Sequence, residues 1–138
     1  MSYNHIYFDY AATTPTDSKV LEEMLPYFSQ IYGNASSSTH LQGDTAKKAV
    51  KRAQRQIAEL ISAEPEEIYF TSGSTESINL VIKGIFESST GKNKHFITVK
   101  TEHKAVLDTC GYLEGLGANI TYLDVDSDGL IDLEDLEN

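Results

Sequence analysis

The sequence predicts an α/β domain with a mainly parallel sheet flanked by helices. After residue 63, short runs of β-branched and aromatic residues alternate with segments whose apolar residues recur at helical spacing. The runs that predict strands span residues 68–71, 96–99 and 120–123. This βαβαβ order favours parallel strands joined by right-handed crossovers, and ligands of such sheets bind beyond the carboxyl ends of the strands.

Length and composition exclude several classes of protein. The 138 residues are 40% hydrophobic and 23% charged, which is ordinary for a globular domain. A formal net charge of −10 disfavours nucleic acid and anionic membrane surfaces as partners. No run approaches the ~20 apolar residues of a membrane span, and the single cysteine excludes an intrachain disulfide. We therefore expect a cytoplasmic protein that binds neither nucleic acid nor membrane.

In the N-terminal half of the chain, the sequence predicts two helices separated by a loop. Apolar residues recur at helical spacing from Leu21 to Phe28, after three possible capping residues at 16–18, and Pro26 is expected to kink or split this helix. Small and polar residues at 33–40 predict a loop. The strongest periodic pattern follows, with an apolar stripe and a basic face that we interpret as solvated rather than as a nucleic-acid patch. The stripe consists of Ala46, Ala49, Val50, Ala53, Ile57, Leu60 and Ile61.

The turn at residues 71–75 joins the first predicted strand to a helix marked by apolar residues from Ile78 to Ile85. Unpaired N–H groups at a helix N-terminus attract anions, and Gly73 permits a close approach of the backbone. The hydroxyls of Ser74 and Thr75 can donate to the same anion, so the turn could hold a phosphate. The alternative is that Ser74 only caps the helix, because serine is a common N-cap and the lysine of a P-loop is missing.

A second polar segment, residues 101–104, follows the next predicted strand and precedes a helix marked by apolar residues from Val106 to Leu113. Its imidazole, His103, could stack on a flat ring or exchange protons near neutral pH. The alternative is a solvent-exposed histidine at a helix start. Cys110 lies on the apolar stripe of this helix, which predicts a buried and unreactive thiol.

Two features of the sequence bear on metal binding. Residues 124–135 follow the D-x-D-x-D-G spacing of an EF-hand calcium loop, but Asp135 stands where a glutamate is needed and a strand leads in where a helix is needed. We therefore predict that Asp128 and Gly129 form a turn between a strand and a helix. The four histidines show no ligand spacing with one another or with Cys110, so no transition-metal site is predicted.

Four motifs in order resemble cysteine desulfurases of the NifS/IscS type. These are pyridoxal-phosphate (PLP) enzymes of fold type I in the class V aminotransferase group. The motifs are Tyr7–Pro15, the loop with Gly33, Asn34, Ser37 and His40, the turn Thr71–Asn79, and Lys100–Leu107. The loop departs from the family at Ala35, where proline is common. The resemblance covers essentially the whole chain but about the N-terminal third of such an enzyme, which implies an N-terminal arm at 1–15 and the first part of the large PLP-binding domain at 16–138.

The resemblance implies that Ser74 and Thr75 hold the PLP phosphate and that His103 stacks on the pyridine ring. It also implies that the parent enzyme is a homodimer that removes sulfur from L-cysteine. Alanine and an enzyme persulfide result, and the sulfur passes to an acceptor or scaffold protein for iron–sulfur or thio-cofactor assembly. In the family the Schiff-base lysine, the acidic partner of the pyridine nitrogen and the persulfide cysteine all lie further downstream. No catalytic residue is therefore expected in this chain, which alone is expected to be inactive.

Three alternatives remain open at this stage. The chain could come from a selenocysteine lyase or another class V relative, because the discriminating cysteine loop is not in the sequence. It could be a non-catalytic anion-binding or nucleotide-binding α/β module, or a calcium-binding module. A parallel sheet of few strands is also expected to leave apolar surface uncovered, which predicts self-association.

Overall fold

The computed structural model describes residues 6–89 and 94–137. The chain divides into two compact units, Met1–Tyr69 and Phe70–Asn138. The first unit holds the helices α1 (Ser18–Ser29) and α2 (Leu41–Ile61) and a 3-10 turn (Pro65–Glu67). The second holds, in chain order, α3 (Ser74–Ser88), β1 (His95–Val99), α4 (Lys104–Glu114), β2 (Asn119–Leu123) and α5 (Leu133–Glu137).

Helix α1 begins at a side-chain cap and continues through its proline. Asp17 is the N-cap, and its carboxylate accepts a hydrogen bond from the Lys19 backbone N–H at 2.8 Å. The expected split at Pro26 does not occur, because the helix extends to Ser29. The Gln30 N–H then donates to the Pro26 carbonyl at 2.8 Å, so a further helical turn forms after the proline.

Helix α2 confirms the strongest periodic pattern in the sequence. Its N-cap is His40, whose Nδ1 accepts from the Gly43 N–H at 3.1 Å. The helix ends at Ser62, which adopts the left-handed conformation that often terminates helices. Of the predicted apolar stripe, Ala46 is buried, whereas Leu60 and Ile61 are exposed; Ala58, which the predicted stripe did not include, is buried as well.

The predicted strand at 68–71 is not formed in the described part of the chain. Ile68 is buried and its backbone is extended, but its carbonyl accepts from the Gln54 Nε2 of α2 at 3.0 Å rather than from a neighbouring strand. A strand exists only where a second strand completes its ladder, and the described sheet consists of β1 and β2. The predicted βαβαβ order is therefore a single βαβ unit within the described ranges.

In the second unit, β1 and β2 pair in parallel, with Phe96 opposite Ile120. Helix α4 is the connection between them, and it packs against both β2 and α3. The buried apolar side chains of this unit are Cys110 and Leu113 of α4 and Leu123 of β2. This arrangement confirms the predicted α/β class and the predicted burial of Cys110. No helix of the described residues is long and apolar enough to span a membrane.

Candidate functional site

The turn that precedes α3 has a backbone conformation that only glycine adopts readily. Gly73 is the N-cap of α3, with φ 158° and ψ −178°. A Cβ at this position would meet no atom within 4 Å, so conformation rather than space requires the glycine. The space beside Gly73 is therefore open among the described residues.

Hydrogen bonds join this turn to two residues in the first part of α3, Glu76 and Ser77. One carboxylate oxygen of Glu76 accepts from both the backbone N–H and the hydroxyl of Ser72, each at 2.6 Å. The hydroxyls of Thr71 and Ser77 lie 2.7 Å apart, and both are within reach of the Gly73 carbonyl. The bonds from the Ser72 hydroxyl and backbone N–H lower the pKa of Glu76. The turn is thus held in one conformation by protein groups.

Donors at the start of α3 remain unused within the described residues. The first backbone bond into the helix runs from the Ser77 N–H to the Gly73 carbonyl at 3.1 Å, so the N–H groups of residues 74–76 have no helical acceptor. The hydroxyls of Ser74 and Thr75 have no hydrogen-bond partner in the described ranges. Ser74 does not cap the helix, since Gly73 is the N-cap and no side-chain cap bond forms. These donors, at the positive end of a helix dipole, suit an oxyanion.

His103 is the N-cap of α4, immediately after the β1 strand and its turn. Its Nδ1 accepts from the Ala105 N–H at 3.1 Å, and the side chain is exposed. An imidazole that accepts at Nδ1 carries its hydrogen on Nε2 when it is neutral. The structure thus shows the exposed histidine at a helix start, and the cap bond in addition restrains the ring. A restrained ring with an exposed face can stack on a flat ligand.

The predicted site residues all lie in the second unit. Ser74 and Thr75 open α3, and His103 caps α4, the helix that packs against α3. Sequence reasoning missed the role of Glu76 in holding Ser72. The available signal was an acidic residue in the first turn of a helix, four residues after a serine rather than at the three-residue spacing of a capping box.

The acidic segment after β2 forms the predicted turn between a strand and a helix. Asp126 accepts from the N–H groups of Asp128 and Leu130, both at 2.9 Å, and Gly129 has φ 81°. Asp124 pairs with the Lys100 ammonium at 2.7 Å. These carboxylates therefore bond to protein donors, and no group of three or more His, Cys, Asp or Glu side chains in the described residues is arranged to hold a metal ion.

The environment of Cys110 is that of a structural thiol. Burial raises the pKa of the Cys110 thiol, and the Glu114 and Glu102 carboxylates raise it further. Burial and a hydrogen bond from its hydroxyl to Glu114, at 3.0 Å, raise the pKa of Tyr122 in the same region. A thiol whose charged form is disfavoured is a poor nucleophile.

A family profile and the similar curated proteins point to the same protein family. The profile of the family described as Aminotransferase class-V matches residues 6–138. A protein named cysteine desulfurase IscS from Neisseria gonorrhoeae is 56% identical over 132 residues, which is 96% of this chain and 33% of that protein. A mitochondrial cysteine desulfurase from Arthroderma benhamiae is 53% identical over 134 residues, which is 96% of this chain and 27% of that protein.

Solved structures agree with these relatives. A structure titled NIFS-like protein superposes with a TM-score of 0.86 at 41% identity, over 91% of this chain and 34% of that one. A structure titled SspA in complex with cysteine superposes with a TM-score of 0.87 at 44% identity, over 95% of this chain and 38% of that one. The resemblance read from the four motifs is confirmed. The chain spans about a third of the length of the curated relatives it matches, 33% of the Neisseria protein.

Proposed function

Because the chain belongs to the class-V aminotransferase family, we propose that it is the cofactor-phosphate-binding portion of a PLP-dependent cysteine desulfurase. Relatives over 50% identical along nearly the whole chain carry that name. PLP supplies an electron sink for bond cleavage next to an amine when it is bound. In the proposed enzyme, the residues of this chain bind and orient the cofactor.

A single observation carries the proposal, namely the set of unused donors at the start of α3. The Ser74 and Thr75 hydroxyls and three backbone N–H groups have no acceptor in the described ranges, although each is a strong hydrogen-bonding group. A phosphate monoester offers several charged acceptor oxygens at once. The space beside Gly73 is open, since a Cβ built there would meet no protein atom within 4 Å. The residues present therefore fit the phosphate end of PLP.

His103 is proposed to contact the ring end of the cofactor. The cap bond to Ala105 restrains the imidazole, so less conformational freedom is lost when a ligand stacks on it. Stacking of the imidazole on the pyridine ring would orient the ring of the cofactor.

The proposed reaction and partners are those that the resemblance to cysteine desulfurases implies. L-cysteine is the proposed substrate, alanine the product, and an acceptor or scaffold protein the destination of the sulfur, in a homodimeric enzyme. Selenocysteine lyase activity or that of another class V relative stays the alternative. The division into an arm at 1–15 and a domain portion at 16–138 stays a prediction. So does the cytoplasmic location, since two of the relatives are named mitochondrial and mitosomal.

Replacing both Ser74 and Thr75 with alanine is expected to weaken PLP binding at least about tenfold. Hydrogen bonds to a charged group contribute about 1.5–3 kcal/mol each, and about 1.4 kcal/mol corresponds to tenfold in affinity. The affinity for pyridoxal, which lacks the phosphate, is expected to stay unchanged. Absorbance or fluorescence titration of the chain with both compounds measures the difference. Ser88→Ala, at the other end of α3, is the matched control. Equal losses for PLP and pyridoxal would contradict the assignment.

The unused donors would also suit another phosphate ester, which favours the nucleotide-binding module as a second candidate. The ring of His103 separates the two functions. His103→Asn keeps a capping side chain and removes the ring, and it is expected to weaken PLP binding by about two- to tenfold, given about 0.5–1.5 kcal/mol for ring stacking. His103→Phe restores a flat ring and is expected to recover part of the loss. Tight adenosine diphosphate binding, with PLP affinity unaffected by the asparagine, would support the module instead.

A further inference from the structure

We propose that Glu76 is a positioning residue, which holds Ser72 so that the hydroxyls of Ser74 and Thr75 are presented to the phosphate. This inference rests on the proposed function and deepens it. Glu76 itself is not expected to touch the cofactor, because its bonds run to Ser72 on the preceding turn. Its effect passes through the shape of that turn.

The geometry of the carboxylate supports a holding role. One oxygen of Glu76 accepts two hydrogen bonds of 2.6 Å from one residue, and charge-assisted bonds of that length are the strong ones. These bonds join a residue before Gly73, Ser72, to a residue after it in the helix, Glu76. Gly73 has no side chain to restrain its own backbone, and its conformation is one that glycine alone reaches easily. The hydroxyls of Thr71 and Ser77 hold the Gly73 carbonyl. The Glu76 carboxylate, however, is what ties Ser72, the residue before Gly73, to the helix.

The hydrogen bonds from Ser72 to Glu76 also determine which donors remain for a ligand. With its N–H and hydroxyl both bonded to Glu76, Ser72 has no hydrogen to offer to a ligand. The unused donors are then the Ser74 and Thr75 hydroxyls and the N–H groups of the first helical turn. An anion is thereby directed onto the helix terminus rather than onto the preceding loop.

The negative charge of Glu76 opposes phosphate binding, whereas its hydrogen bonds to Ser72 favour it. These two effects predict different results for different substitutions of Glu76. The carboxylate of Glu76 is negative and adjacent in sequence to Thr75, so it repels a phosphate. Glutamine removes the charge but keeps a carbonyl oxygen that can accept from Ser72. Alanine removes both the charge and the acceptor. A purely electrostatic role would make both variants bind PLP more tightly, whereas a positioning role makes only the alanine variant bind more weakly.

The test compares Glu76→Ala, Glu76→Gln and the parent chain by titration with PLP and with pyridoxal. Glu76→Ala is expected to weaken PLP binding about tenfold and to leave pyridoxal binding unchanged, while Glu76→Gln stays within about threefold of the parent. Glu87→Ala removes the same charge from an exposed position near the end of the same helix and is the matched control. Circular dichroism confirms that each variant keeps its helices. Should Glu76→Ala not fold, Ser72→Ala removes one of the two bonds and is expected to act in the same direction with a smaller effect.

A second readout requires no ligand. Amide hydrogen exchange at Ser72, followed by nuclear magnetic resonance, is expected to accelerate in Glu76→Ala and to stay close to the parent rate in Glu76→Gln. Tighter or unchanged PLP binding by Glu76→Ala, or equal Ser72 exchange in both variants, would overturn the positioning role. A parent chain that does not distinguish PLP from pyridoxal would instead contradict the proposed function, while the exchange rates would still report whether Glu76 holds Ser72.

Discussion

Replacing Gly43 with alanine is expected to lower the free energy of unfolding by about 3 kcal/mol, the upper part of the range for overpacked sites. A Cβ at this position would lie 2.2 Å from the Ser37 carbonyl oxygen and 3.0 Å from the Ser37 Cβ. The oxygen belongs to the backbone and cannot move aside as the end of a side chain can. The Gly43 N–H also donates to His40, so a displacement of the helix start breaks the cap of α2.

Gly84→Ala is the control for this experiment. Gly84 lies inside α3, and a Cβ there would meet no atom within 4 Å. Alanine is favoured over glycine by about 1 kcal/mol in a helix interior, so this variant is expected to be stabilised. Urea denaturation followed by circular dichroism measures both changes against the parent chain. If Gly43→Ala gains stability as Gly84→Ala does, the loop at Ser37 can move away from α2 at no cost, and the prediction is wrong.

Leu113→Ala is expected to destabilise the second unit by about 3 kcal/mol. Leu113 is 1% exposed and is the largest fully buried side chain among the described residues. It lies on α4, which packs against β2 and α3, so a smaller side chain is expected to leave a cavity in the core of this unit. Leucine-to-alanine changes at such positions cost about 2–5 kcal/mol, because lost burial and the residual cavity add.

Leu116→Ala provides the comparison for Leu113→Ala. Leu116 follows α4 and is 55% exposed, so the same truncation is expected to cost less than about 1 kcal/mol. Thermal or urea unfolding of the two variants measures the difference. Equal losses at the two positions would mean that Leu113 is not the centre of this core.

Local patterns predicted the helices well. The apolar stripe of α2 predicted a helix that the structure places at Leu41–Ile61, and the β-branched runs after residue 94 predicted both strands to within one residue at their N-terminal ends. The four motifs indicated the family that the comparisons show. Each of these signals depends on residues close together in the sequence, where the period of a helix or strand and the chemistry of a turn are encoded directly.

By itself, then, the sequence determined the α/β class, the helices, the two paired strands and the turn that opens α3. Only the tertiary structure decided that residues 68–71 lack a strand partner, that Gly43 contacts the loop before it, and that Glu76 rather than Ser74 bonds within the turn at the start of α3. The physical reason is the same in each case. A strand partner, a close backbone contact or a hydrogen-bond acceptor can each be supplied by several groups, and which group supplies it depends on the packing of the elements, which periodicity does not specify.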